Sequence, residues 1–234
     1  MDVISYMGGV EETKYPIPEY LYDDVLYNDI QYVLNKDVLL NYVLRPIADP
    51  EPTDLATVYA SWWTEEYYSE EWVLHNYVSP EKMPEETPAD QYLPGVEKNL
   101  AVNICPFIEE HPETRFVVFF PPYSILYWNE VLMENHMEAT MEEYRYIAER
   151  LCDYDNVEVY FFPDREDIIL DLNHYADYNH YHPNFNRFMT ECFVDGTGRV
   201  YRSDSGSGKT IDDYLAHMRQ IVDDFDFNAL LVRG

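Results

Sequence analysis

The chain has 234 residues, of which 47% are hydrophobic and 16% aromatic, so it can bury a large core and is not globally disordered. Its formal net charge of -30 at pH 7 repels phosphate backbones and anionic membrane surfaces, which excludes nucleic acid as an expected partner. Three cysteines, odd in number and far apart, fit neither a disulfide framework nor a zinc motif. The sequence shows no signal-peptide pattern and no apolar run of membrane-spanning length.

The N-terminal part predicts a strand, a helix and an irregular insertion. The stretch "DVISY", followed by Gly8 and Gly9, is typical of a short buried strand that runs into a turn. Apolar residues then recur at helical intervals over residues 20–45, and Pro46 should end that helix. Residues 50–95 are rich in Pro, Glu and aromatics, so we expect an irregular insertion with short helical turns within a single domain 1–234.

The C-terminal part alternates predicted strands and helices. Apolar patterns predict, in chain order, a helix over 96–108, a strand over 115–122, a helix over 137–151, a strand over 156–163 and a helix over 211–225. Pro106 should kink the first of these helices, and Thr210 is suited to cap the last. Strands that are apolar throughout favour an α/β fold with a parallel sheet covered by helices, whose site lies at the carboxyl ends of the strands.

The stretch "SDSGSGKT", residues 203–210, resembles a phosphate-binding loop only in part. The motif GxxxxGK[ST] requires a glycine where Ser203 stands, and the loop should follow the first strand of a nucleotide-binding domain rather than precede the last helix. We therefore interpret the segment as a glycine-rich turn with a helix cap.

The stretch "NHYADYNHYHP", residues 173–183, holds three of the seven histidines of the chain. A metal site built on His174, His180 and His182 is one hypothesis, although no helical HExxH spacing or second ligand cluster supports it. The alternative is catalytic, because Asp177 and His180 are spaced so that the carboxylate can contact the imidazole within one turn. This carboxylate would fix the tautomer of a histidine that takes a proton from a nucleophile.

Two longer segments, "FVVFFPPYSILYW" and "NVEVYFFPDREDIILDLNHYADYNHYHPNFNRFM", resemble the SGNH/GDSL-type hydrolase-like proteins of Gram-positive bacteria. These are distant relatives of the D-alanyl-lipoteichoic acid biosynthesis hydrolase. The resemblance implies a flavodoxin-like parallel sheet flanked by helices, and serine-dependent ester hydrolysis or acyl transfer on cell-envelope or exported carbohydrate at the cell surface. It assigns Asp177 and His180 to the final Asp-x-x-His block, with His180 as general base and Asp177 as its orienting carboxylate. It implies no metal or cofactor.

The chain departs from this family at the nucleophile. No Gly-x-Ser turn follows the first strand, and "DVISY" resembles the third strand of the family's fold. We therefore expect the first two strands, the serine and any membrane anchor to lie upstream of Met1, and the chain alone to be inactive as an esterase. A sheet lacking two strands would expose an apolar edge, so homo-oligomerisation is expected. Ser124 could substitute as nucleophile, or it could simply cap a helix.

Aromatic residues suggest an alternative function. The chain has 23 tyrosines and four tryptophans, and residues 59–72 are especially rich in them. Most such residues pack in cores, but exposed ones can stack on sugars. The alternative is therefore a non-catalytic protein that binds carbohydrate or assists envelope assembly.

Overall fold

A computed structural model of the chain describes residues 19–21, 23–25, 27–48 and 65–232. The chain divides into two compact units, whose described parts are residues 19–48, with the gaps given, and residues 65–232. The stretch "DVISY" and its glycine turn lie outside the described residues. That strand, and the organisation of the chain as one domain with an insertion at about 50–95, stay predictions.

The described part of the smaller unit begins with a 3-10 turn (Glu19–Leu21), continues as bends and turns, and is mostly helical only from Ile30 onward, so the helix predicted over 20–45 starts later than expected. It contains α1 (Ile30–Val33), α2 (Lys36–Val38), a π-helical segment (Leu39–Leu44) and α3 (Arg45–Ala48). The prediction that the helix ends before Pro46 is wrong, since α3 contains this proline. A proline ring clashes with the carbonyl of the preceding turn in a regular α-helix. The π-helical segment directly before α3 changes the hydrogen-bond pattern of that turn, which lets the helix continue.

The described residues of the larger unit start at Glu65, within the predicted insertion. A short 3-10 turn (Glu65–Tyr67) precedes α4 (Glu70–Asn76), whose first turn is capped by the Ser69 hydroxyl accepting from the Trp72 N–H at 3.2 Å. Residues 77–92 form turns and irregular backbone. The prediction of an irregular segment with short helical turns is confirmed over 65–92, and residues 50–64 lie outside the described part.

The next helix carries the disturbance expected from Pro106. It consists of α5 (Leu93–Asn99), a π-helical segment (Leu100–Ile104) and α6 (Cys105–Glu110), in which Pro106 is near the start. As in the smaller unit, the wide π-helical turn ends two residues before the proline. The apolar face predicted for this helix is buried at Val96, Leu100 and Ile108.

Three strands form the sheet in the described part of the larger unit. β1 (Phe116–Phe120) pairs in parallel with β2 (Val157–Phe161), and β2 pairs antiparallel with β3 (Arg199–Val200). The order is β1-β2-β3. Close approach of β3 requires Gly198, since a Cβ there would stand 3.2 Å from the Phe161 carbonyl oxygen, and its φ is +81°.

Helices cover both faces of this sheet. The remaining α-helices of the described residues are α7 (Ile125–Met133), α8 (Met137–Cys152), α9 (Glu166–Ile169), α10 (Asn184–Asp195), α11 (Ile211–Asp224) and α12 (Phe227–Leu231). A 3-10 turn (Leu172–His174) lies between α9 and α10. The main core joins Phe120 and Phe161 to the apolar sides of α7, α8 and α11. On the opposite face, Tyr160 and Phe162 pack against Met189 and Cys192 of α10.

The α/β class, the two parallel strands and the helices α8 and α11 are therefore confirmed, with predicted boundaries close to those observed. The sheet is mixed rather than wholly parallel, because β3 runs antiparallel. Among the described helices, none combines the length and apolar character that crossing a bilayer requires.

Candidate functional site

The histidine-rich stretch folds as a small hairpin after β2. The His182 N–H donates to the His174 carbonyl at 2.7 Å, and the Ala176 N–H donates to the His180 carbonyl at 2.9 Å. Between these bonds, Tyr175 and Tyr181 form an antiparallel bridge. The tip of the hairpin is the turn from Asp177 to His180.

Two buried hydroxyl groups attach this hairpin to the carboxyl end of β1. Tyr175 is fully buried, and its hydroxyl donates to the Pro122 carbonyl at 2.6 Å. Ser124 is also fully buried; its hydroxyl donates to the Tyr178 carbonyl at 2.5 Å and accepts from the Leu126 N–H. Of the two roles considered for Ser124, the structure shows the helix cap, at the start of α7. A hydroxyl held in this way is not poised to attack a substrate.

Asp177 and His180 are in direct contact at the tip of the hairpin. Asp177 Oδ2 lies 2.6 Å from His180 Nδ1. Asp177 Oδ1 accepts the backbone N–H groups of Asn179 at 2.9 Å and of His180 at 2.7 Å. Three hydrogen bonds thus hold the carboxylate, and its contact with Nδ1 orients the imidazole ring. The imidazole is 59% exposed and therefore accessible to a substrate.

A second Asp-x-x-His sequence, which the sequence analysis missed, lies six residues earlier and has a different geometry. Asp171 Oδ2 is 3.6 Å from His174 Nε2, beyond a good hydrogen bond. Asp171 instead accepts from the backbone and side-chain N–H groups of Asn173, and the side-chain bond is the main reason that its pKa is lowered. The His174 ring packs against Phe185, with centroids 5.1 Å apart. Of the two identical spacings, only Asp177 and His180 form an oriented pair.

The three histidines of the hairpin have separate surroundings. His182 accepts from the Asn184 N–H at 3.2 Å and meets the edge of Tyr68, with ring centroids 4.5 Å apart. Within the part of the chain that the structure describes, no group of three or more His, Cys, Asp or Glu side chains is arranged to hold a metal ion. The geometry therefore gives no support to the hypothesis of a three-histidine metal site.

An aromatic pocket adjoins the hairpin. Its cavity is about 570 Å³, within the size range of small-molecule sites. We define the aromatic pocket by the side chains that carry its chemistry: Tyr68, Asn173, His174, His182, Asn184 and Phe185. Tyr68 belongs to the segment 59–72 that the sequence analysis singled out for sugar stacking. Trp72 instead packs against Tyr67 at 4.5 Å, and Trp62 and Trp63 lie outside the described residues.

A second carboxylate–imidazole pair was also missed. Asp164 follows β2 and is only 7% exposed; its Oδ2 lies 3.1 Å from Nδ1 of His217 on α11 and 4.0 Å from Nζ of Lys209. The two partners are 53 residues apart, so no local spacing in the sequence signals them. The "GKT" segment that only partly matched a phosphate-binding loop thus places Lys209 beside this carboxylate.

The rest of the stretch 203–210 forms a glycine-containing turn and a helix cap, as predicted. Gly206 and Gly208 have positive φ values of 63° and 74°. Thr210 forms a capping box with Asp213 at the start of α11.

No family model, curated protein or solved structure matches this chain.

Proposed function

We propose that this chain is an SGNH-hydrolase-like protein whose Asp177–His180 pair is the general-base half of a serine-dependent ester hydrolysis or acyl-transfer site. The 2.6 Å contact between Asp177 Oδ2 and His180 Nδ1 carries the proposal. An exposed imidazole with a carboxylate on one nitrogen has the arrangement of a histidine that accepts a proton on the other.

In the proposed mechanism, His180 Nε2 takes the proton of a serine hydroxyl as that oxygen attacks an ester carbonyl. Asp177 holds the ring in the required tautomer and stabilises the imidazolium. The proton is then delivered to the leaving alkoxide, which yields an alcohol and an acyl-enzyme. Water or a second alcohol releases the acyl group by the same steps in reverse order.

The sequence contains no Gly-x-Ser motif that would supply the nucleophile of this mechanism. Ser124, the substitute considered, is fully buried and donates to the Tyr178 carbonyl. We therefore keep the prediction that the chain alone does not hydrolyse esters. Purified protein should give no more p-nitrophenyl acetate turnover than its His180→Ala variant; robust turnover that this substitution abolishes would mean that the chain supplies its own nucleophile.

The half-site can be tested without a nucleophile. In ¹⁵N NMR spectra, neutral His180 should be the Nδ1–H tautomer, because Nδ1 donates to the Asp177 carboxylate. Asp177→Asn should remove this preference, since an amide can either donate or accept. Asp171→Asn is the matched control, with the same spacing to a histidine but a distance of 3.6 Å, and it should leave the His180 signals unchanged. An Nε2–H tautomer of His180 in the wild type would refute the proposal.

A second candidate function, non-catalytic carbohydrate binding, is favoured by the aromatic pocket. Tyr68 and Phe185 offer ring surfaces, and Asn173 and Asn184 offer amide groups among them, the combination with which proteins bind sugar rings. Tyr68→Ala should weaken the binding of neutral sugars in an NMR titration, while Tyr32→Ala, an exposed tyrosine of the smaller unit, should not. Equal binding by both variants would argue against the aromatic pocket as a sugar site.

A further inference from the structure

An open groove adjoins the aromatic pocket at the carboxyl end of β2. Its volume is about 800 Å³, and Arg165 and Asp167 line both cavities, so the two meet across this pair. Arg165 Nε and Nη2 donate to the two carboxylate oxygens of Asp167 at 2.9 and 2.7 Å. The guanidinium also lies over the ring of Phe188 at 4.7 Å. The boundary between the cavities is therefore a planar polar group held in place on several sides.

The concave surface continues along α11. A smaller cavity of about 190 Å³ shares Glu166, Leu170 and His217 with the groove and extends to Gln220 and Phe225. The aromatic pocket, the groove and this cavity thus follow one another in a row, and we call the last two together the extended groove. Such an elongated surface fits a chain-like ligand better than one small molecule.

His217 lies where the two parts of the extended groove meet. Its Nδ1 is 3.1 Å from Oδ2 of Asp164. Because Asp164 is buried, this contact fixes the orientation of the imidazole ring. The His217 side chain is 45% exposed and lines both cavities. An oriented, half-exposed imidazole is suited to hydrogen bonding with a ligand hydroxyl.

The charges of the extended groove restrict the ligand. Its larger cavity has four acidic side chains, from Asp164, Glu166, Asp167 and Asp171, and two basic side chains, from Arg165 and Lys209. The whole chain carries a formal charge of -30 at pH 7. A polymer that bears a phosphate or carboxylate on each repeat would be repelled both locally and at a distance.

We propose that the extended groove binds the continuation of a linear, uncharged oligosaccharide whose first ring occupies the aromatic pocket, with His217 contacting its hydroxyl groups. This inference rests on the sugar-binding function proposed for that pocket. It requires that affinity increase with chain length until both cavities are filled, and that acidic chains of equal length bind more weakly.

The test is a calorimetric titration of the full chain with the dimer, tetramer and hexamer of N-acetylglucosamine, and with galacturonic acid oligomers of the same lengths. We expect the wild type to bind the neutral tetramer about tenfold more tightly than the neutral dimer. His217→Gln, which keeps a donor toward Asp164, should lose most of this gain. Gln220→Ala provides a second variant, at an exposed position of the same groove.

His111→Ala is the matched control, because the His111 side chain is 43% exposed and the residue lies before the start of β1, near the amino ends of the parallel strands. This variant should retain the full increase in affinity from dimer to tetramer. Tyr68→Ala should weaken all lengths equally, which distinguishes failure of the aromatic pocket from failure of the extended groove. The inference is overturned if the neutral oligomers do not bind, if affinity does not rise with length, if both groove variants retain the gain, or if the acidic oligomers bind more tightly.

Discussion

Glu143 provides a direct test of how the core of the larger unit sets the pH dependence of stability. This residue lies on α8 and is 0% exposed. Neither of its carboxyl oxygens has a hydrogen-bond partner among the described residues. Burial disfavours the charged carboxylate and raises the pKa of Glu143 from 4.5 to about 7.

The sign of the effect follows from these two pKa values. Below 4.5 both the folded and the unfolded chain hold the proton, so the stability associated with Glu143 is fully present. As the pH rises, the unfolded chain releases the proton first, and folding becomes less favourable. The loss is complete once the pH exceeds the folded value of about 7. At about 1.36 kcal/mol per pH unit, the total loss is about 3 kcal/mol.

About 2 kcal/mol of this loss should occur between about pH 5.5 and pH 8, a range that lies above the isoelectric point of about 4.2. Glu143→Gln cannot ionise, so the free energy of unfolding of this variant, relative to wild type, should increase by that amount across the range. Urea denaturation followed by circular dichroism measures both proteins under identical conditions, and the effects of all other groups cancel in the difference.

Glu149→Gln on the same helix is the matched control, because Glu149 is exposed. This variant removes one carboxyl from the surface of α8 and leaves the buried carboxyl of Glu143 in place, so the loss of stability with rising pH should persist in it. If the difference between Glu143→Gln and wild type stayed constant within about 0.5 kcal/mol across the range, the carboxyl would be ionised in the folded state at little cost, and the argument from burial would be refuted.

Two further predictions concern the segment before α11. Gly208→Ala should destabilise the fold by more than the roughly 1–2 kcal/mol that a left-handed backbone costs a non-glycine residue, because a Cβ there would stand 2.4 Å from the Tyr201 ring. Gly206→Ala is the control and should cost only that backbone strain. Equal melting temperatures of the two variants would contradict this prediction. Thr210→Ala should cost about 1 kcal/mol in urea denaturation through loss of the capping box with Asp213, and an unchanged midpoint would show that the box contributes nothing.

Local patterns predicted the elements well where the pattern itself is the cause of the structure. The apolar runs at 115–122 and 156–163 form β1 and β2, because residues apolar on both sides are stable only between two covering layers. The spacing over 137–151 and 211–225 forms α8 and α11 for the corresponding reason.

Local patterns failed where a residue depends on a distant partner or on a rare backbone form. Pro46 was expected to end a helix, but a π-helical segment accommodates it. β3 has only two residues and joins the sheet through Gly198. A strand this short is too short to show an apolar pattern in the sequence. His217 meets Asp164 only because α11 packs near the end of β2.

The sequence by itself determined the α/β class, the two parallel strands and the Asp-x-x-His spacing of the candidate pair. Only the tertiary structure decided between the two copies of that spacing, Asp171 with His174 and Asp177 with His180. The physical reason is the hairpin, which Tyr175 and Ser124 attach to the carboxyl end of β1 by bonds spanning more than fifty residues. The turn at the tip of the hairpin directs the Asp177 carboxylate onto the His180 imidazole. The Asp171 carboxylate instead accepts the backbone N–H of Asn173.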